Sequence, residues 1–187
     1  MAERILPYPY TQAGLLLPES ADIRVEDGIF IGHGVMPTLL VANLIDLSED
    51  LGVRRQGYAW TDASQLPSPV REAATFFHDV FQLESDRAEL KRYDNSDPYV
   101  SGAYRKHKDP RKYRRHRIAL NGLDGEADSI IWTRNPWTLR SKAHPFRSSP
   151  NTTAICNGGL PHIVSPPLNP DGVRHFFFLG KTSQPTT

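Results

Sequence analysis

With a single cysteine, Cys156, the chain has no intramolecular disulfide to staple it, and a reducing compartment is its simplest setting. It also lacks any apolar run long enough to cross a bilayer. The longest, around Thr38 to Leu47, stops well short, and the first residues carry no signal-peptide pattern. A cytoplasmic protein with no membrane partner is therefore expected. Charge of one sign is missing too. Lys and Arg number 22 against 21 Asp and Glu, a net +1, so nothing global points to nucleic acid, an anionic membrane or an acidic partner. Such a partner would have to be read from a local patch. No repeat of solenoid or propeller length is visible. At 187 residues with 39% hydrophobic content, one domain (1–187) with its own core is the expectation.

What is abundant is punctuation. Sixteen prolines and 13 glycines cut the chain into short segments, which argues against a helical bundle and for strands and turns. Ala21 to Gly34 carries apolar Ile23, Val25, Ile29 and Ile31 around Asp27-Gly28, the pattern of a strand, a tight turn and a second strand. Pro37 opens an apolar run that reads as a buried helix ending at Gly52. Ser68-Pro69 opens a clearer one, with Val70, Ala73, Ala74, Phe77, Val80 and Phe81 on one face. From Ala88 the pattern changes to short strand candidates: Leu90 to Tyr93, Tyr113 to Asn121, Ser129 to Thr133, Thr152 to Cys156, His162 to Val164 and Val173 to Leu179. The expected organisation is a hairpin and helices over 1–87, a strand-rich core over 88–180, and a flexible tail over 181–187. A mainly β fold of this kind suits a two-sheet roll with its functional groups at one open mouth.

The residues that carry chemistry lie in the strand-rich half. Tyr104-Arg-Lys-His107-Lys-Asp109 contains an H-x-D triplet, and His162 follows in Leu160-Pro-His-Ile-Val. Two imidazoles and one carboxylate make a facial set for non-haem Fe(II): neutral nitrogens suit the ion, the carboxylate offsets part of its charge, and open positions remain for small molecules. On an extended segment, residues i and i+2 point the same way, so His107 and Asp109 can reach one ion while His162 arrives from another strand. Twelve residues beyond His162 stands Arg174, whose planar fork matches a carboxylate with two parallel hydrogen bonds.

The order H-x-D, a histidine within Asn157-Gly-Gly-Leu-Pro-His-Ile-Val-Ser-Pro-Pro, then an arginine on the next strand resembles the Fe(II)/2-oxoglutarate-dependent oxygenases, over about Leu90 to Gly180. The resemblance implies a double-stranded β-helix (jelly-roll, cupin-like) core over 88–180. It assigns His107, Asp109 and His162 to Fe(II), and Arg174 to the distal carboxylate of 2-oxoglutarate. Tyr104 and Asn121 are the candidates for secondary contacts to that co-substrate. It implies an enzyme that couples 2-oxoglutarate decarboxylation, with dioxygen, to the oxidation of a small-molecule substrate. Because Asp109 fills the carboxylate position, hydroxylation, desaturation or ring formation is implied rather than halogenation. Phe30-Ile-Gly-His-Gly-Val-Met-Pro37 is a further echo of a stretch that opens a helix in plant-like members. Phe176 stands where one better-known subgroup has the serine of an R-x-S pair.

A rival reading comes from 105–117, which holds eight basic residues, two histidines and one acid: a nucleic-acid-binding module that neutralises phosphates. Against it, the run passes into Ile118-Ala-Leu-Asn, a half-exposed strand, and it holds few aromatics for base stacking. A third reading lets the same residues line the mouth of an iron site and attract an anionic substrate. The remaining histidines read as structural: His78 in the second helix, His116 on a strand, His144 in a proline-flanked loop, and His175 on the face of its strand opposite Arg174. Phe176, Phe177 and Phe178 read as core aromatics, Trp132 and Trp137 as core or substrate wall, and Cys156 as an inert thiol.

Overall fold

The computed structural model describes residues 5–53, 57–95, 113, 115–134, 140–164 and 167–182. The chain opens with a short helix α1 (Thr11–Leu16) and then a hairpin of β1 (Asp22–Glu26) and β2 (Ile29–His33), with Glu26 opposite Ile29. Asp27 (φ 49) and Gly28 (φ 76) form the two-residue connection. Both positions need positive φ, which glycine and aspartate tolerate best, and a turn of that twist matches the twist of the strands it joins.

Helix α2 (Thr38–Asp50) buries Leu40, Val41, Leu44 and Ser48, and Gly52 at φ +57 ends it. After the short strand β3 (Tyr58–Trp60), helix α3 (Ser68–Phe81) buries Val70, Ala73, Phe77, Val80 and Phe81, the stripe its spacing predicts. The cap falls on Pro67 rather than Ser68, whose hydroxyl instead bonds Glu72 Oε1 at 2.8 Å. Seven strands follow: β4 (Arg87–Asp94), β5 (Arg117–Gly122), β6 (Ala127–Arg134), β7 (Ser141–Ser148), β8 (Thr152–Asn157), β9 (His162–Val164) and β10 (Val173–Gly180). Among the described residues no helix is long and apolar enough to cross a membrane.

The strands form two antiparallel sheets, one of seven in the order β1-β2-β8-β5-β10-β4-β3 and one of three in the order β7-β6-β9. From β5 onward the chain passes back and forth between them, with β6 and β7 a hairpin within the smaller sheet, in a double-stranded β-helix, a jelly roll behind N-terminal helices. Strand β10, fully flanked by β5 and β4, shows which way each face looks. Phe177 and Leu179 join the cluster under the helices with Phe30, Leu44, Val70 and Phe81. Phe176 and Phe178 join the second cluster inside the roll, with Ile31, Ile118, Leu120 and Ile131. Even-numbered residues of β10 therefore look into the roll and odd-numbered ones toward the helices.

Two strands went unread in the sequence, the three-residue β3 and the longer β7. His144 lies on β7, paired with β6 from Ala127↔Ser148 to Arg134↔Ser141, and not in a loop. Pro145 sits within it because β7 is the edge of its sheet, where a residue with no N–H leaves no ladder bond unmade. At the other end, the first two residues of the expected tail are fastened: Lys181 pairs with Glu84, and Thr182 gives Asp86 hydrogen bonds of 2.8 and 2.6 Å.

Candidate active site

His162 begins β9 directly opposite Ile131, an inward residue of β6, so the imidazole enters the roll, where it is 3% exposed. Its Nδ1 lies 3.2 Å from the carbonyl of Leu160. A carbonyl can only accept, so in this hydrogen bond Nδ1 carries the proton and Nε2 keeps the lone pair. That is the tautomer in which histidine binds a divalent metal, with a second hydrogen bond fixing the ring.

Arg174 lies opposite Tyr93 on β4 and on the inward face of β10 with Phe176, and it is 1% exposed. Its Nη2 donates to Ser148 Oγ at 2.5 Å, and its guanidinium carbon is 5.5 Å from the centre of the Phe176 ring. The space it occupies exists because Gly122 has no side chain: a Cβ there would meet Ser148 Oγ at 2.5 Å and Arg174 Nη2 at 3.0 Å. Ser148 is opposite Ala127 and His162 opposite Ile131, four residues apart along β6. At the rise of a strand that is roughly 13 Å. A guanidinium beside a hydroxyl has the chemistry to hold a carboxylate in fork geometry. Ser148 was not singled out from the sequence; Pro145 hid the strand whose alternation brings it inward with His144.

Of the remaining residues expected at the site, Tyr104, His107 and Asp109 lie outside the described residues, as does Trp137. Asn121 is described and is turned away. Its neighbours Leu120 and Gly122 look into the roll, so Asn121 looks toward the helices. There its amide donates to Phe177 O at 3.0 Å and its carbonyl accepts from Thr153 at 2.8 Å. Its assignment to the co-substrate is corrected by the parity of the strand. Arg117 also lies on that side, with Nη2 donating to the α3 carbonyls of Phe81 at 2.9 Å and Gln82 at 3.0 Å.

A second polar group closes the seam between the sheets. Glu26, Asp27 and His144 offer ligand atoms within 4.8 Å of one another. His144, 3% exposed, has Nδ1 3.4 Å from Glu26, Nε2 3.4 Å from Asp27, and Nε2 2.8 Å from Thr133 Oγ1. The composition suits a divalent cation. However, Lys142 Nζ already stands between the carboxylates, 2.6 Å from Glu26 and 3.1 Å from Asp27. Its hydrogen bond holds the Glu26 carboxyl below the usual range, and those carboxylates hold the ammonium above its own.

No protein-family model matches this sequence, and neither does any curated protein. Among solved structures, a prolyl-4-hydroxylase from Pseudomonas putida has the same fold, with a TM-score of 0.53 at 16% identity over 84% of this chain and 88% of that one.

Proposed function

We propose that this chain is a non-haem Fe(II) oxygenase that couples 2-oxoglutarate decarboxylation to hydroxylation, desaturation or ring formation on a small-molecule substrate. The observation that carries the reading is the occurrence of His162 and Arg174 on the inner surface of one jelly roll, the first with its ring oriented by Leu160 O, the second beside Ser148 in a slot made by Gly122. The donor set fits the ion, and the buried fork fits a dicarboxylate.

His162 would hold the iron with His107 and Asp109, and Arg174 with Ser148 would hold the far carboxylate of 2-oxoglutarate. When bound, the iron and co-substrate supply the activation of dioxygen and the oxidising power. The chain's own work is to orient. Leu160 O keeps Nδ1 protonated so that Nε2 faces the metal, and Phe176 and Ile131 keep water from the interior. Its likeness to a prolyl-4-hydroxylase adds a prolyl-containing peptide to the substrates worth trying.

Anaerobic titration of the protein with Fe(II) and then 2-oxoglutarate tests the reading through the weak visible charge-transfer band of the chelate. That band is expected in the wild type, and His162→Ala, His107→Ala and Asp109→Ala should each lose iron while keeping the far-ultraviolet circular dichroism of the fold. Full iron occupancy in any one of them would remove that residue from the ligand set, and no band in the wild type would sink the co-substrate.

A further inference from the structure

On the far side of β10 from the site, directly behind Arg174, lies an ionic cluster around one buried histidine that the proposed chemistry does not use. His175 is 3% exposed, and its Nδ1 lies 2.6 Å from Asp124 Oδ2, while its own backbone N–H bonds the other oxygen of the same carboxylate. Its Nε2 lies 2.8 Å from Glu49 Oε1 at the end of α2, as an ion-pair contact outside hydrogen-bond alignment. From β4, Arg92 sits opposite His175 with Nε 3.7 Å from the same Glu49 oxygen, and its Nη1 reaches Asp94 at 3.1 Å.

An ionised carboxylate can only accept. A neutral imidazole would therefore turn a lone pair toward one of the two carboxylates, whereas an imidazolium donates to Asp124 and keeps a positive charge beside Glu49. Burial alone would lower the His175 pKa, but the hydrogen bond its ring donates to Asp124 and the charges of Asp124 and Glu49 outweigh it and raise it above the ordinary histidine value.

The cluster reaches the site through one turn. Asp124 belongs to the β5–β6 connection, which also gives Leu123 N–H to His175 O at 3.0 Å. Gly122, the last residue of β5, and Gly125 of that connection flank Arg174: a Cβ on Gly125 would lie 2.9 Å from Val173 O and 3.2 Å from Arg174 Cβ, and Gly122 opens the space for the guanidinium and Ser148. The turn that Asp124 pins is the wall of the slot that sets where the fork lies. A wall loose by about 1 Å is enough to weaken a bidentate contact strongly.

We infer that His175 is a positioning residue for the Arg174 anchor: clamped as a cation between Asp124 and Glu49, it holds the β5–β6 turn against β10, so that affinity for a dicarboxylate depends on the charge of a side chain that never touches it. This rests on the reading of Arg174 as the 2-oxoglutarate anchor.

The test is calorimetric titration of 2-oxoglutarate into the Mn(II)-loaded full chain across a pH series, with the His175 ring followed by nitrogen-resolved NMR. Wild-type affinity should fall about tenfold as the ring loses its proton, in step with the NMR transition. His175→Asn keeps an N–H for Asp124 but has nothing to titrate, so its affinity should lose the step. His175→Leu removes both contacts and should bind about tenfold more weakly at every pH, with Mn(II) affinity unchanged. A pH step that survives in His175→Asn, or a His175→Leu that binds like the wild type even if it melts earlier, overturns the positioning role alone. A wild type that takes up Mn(II) but no 2-oxoglutarate overturns the anchor itself, and this inference with it.

Discussion

One missing methyl group governs how Arg174 can lie. Gly122→Ala places a carbon 2.5 Å from Ser148 Oγ, closer than real contacts allow, and 3.0 Å from Arg174 Nη2, a tight contact, so two buried side chains must shift to admit it. Overpacking of this kind costs on the order of 1–3 kcal/mol, so 2-oxoglutarate affinity should drop about tenfold or more while iron uptake is kept. Equal binding in wild type and Gly122→Ala, by the same calorimetry, would show that the fork does not need the space. Arg174→Gln goes further. Truncating one charge-assisted pair in a buried pocket costs about 2–5 kcal/mol, roughly thirty-fold or more, and Arg174→Lys should recover only part because an ammonium lacks the planar fork. At this scale the sequence is readable where residue type and parity agree. That His162 and Arg174 lie on strands was legible, and the opposite facing of His175 followed from alternation alone. The facing of Asn121 did not, because its position on β5 tells nothing of its face until the strand's phase is known, and that phase is set by Leu120 and Gly122.

Among elements, legibility tracked the strength of the local signal. Asp27-Gly28 specifies its turn by backbone chemistry, and the apolar stripe of α3 survives any context. Helix α1, with six residues, and β3, with three, are too short to show a period. Strand β7 alternates Lys142, His144, Phe146 and Ser148 inward, a row too polar to be recognised as a core face. Part of the basic segment turned out to be structural: Arg117 caps the last turn of α3, where Gln82 takes the left-handed cap at φ 51 and the carbonyls of Phe81 and Gln82 accept its guanidinium. Arg117→Met, keeping the stem and losing the fork, should destabilise the fold by about 1–2 kcal/mol in urea unfolding. A change below about 0.5 kcal/mol would show the cap to be dispensable. The His175 cluster gives the tie between α2, β10 and the β5–β6 turn a pH dependence. Its folded pKa is raised, so its contribution is complete below the unfolded value and is lost as pH rises through the folded one. Urea unfolding of wild type and His175→Asn should therefore differ most at mildly acidic pH and converge on the alkaline side. A gap that widens with pH would reverse the sign.

For the molecule as a whole, the +1 charge and the use of Arg117 in a cap leave little reason for a phosphate-binding face. Binding to a random oligonucleotide should stay weak at physiological salt. Micromolar affinity that falls steeply with salt and vanishes when Arg111, Lys112, Arg114 and Arg115 become Gln would favour the rival reading of the basic segment. The two sheets meet at the β1 and β7 edges through side chains rather than a ladder. Arg24 donates to Pro145 O at 3.0 Å, Lys142 spans Glu26 and Asp27, and a cavity of about 280 Å³ lies among Ile31, His33 and Phe146. The sheet order has a temporal consequence. Strand β2 must wait for β8, and β4 and β5 for β10, which enters between them as the last strand described. As the chain leaves the ribosome, every early strand emerges before the neighbour that satisfies it. Contacts so distant in sequence put refolding in the slow, millisecond-to-second class, and a nascent chain released before β10 would hold open strand edges with no native state to close them.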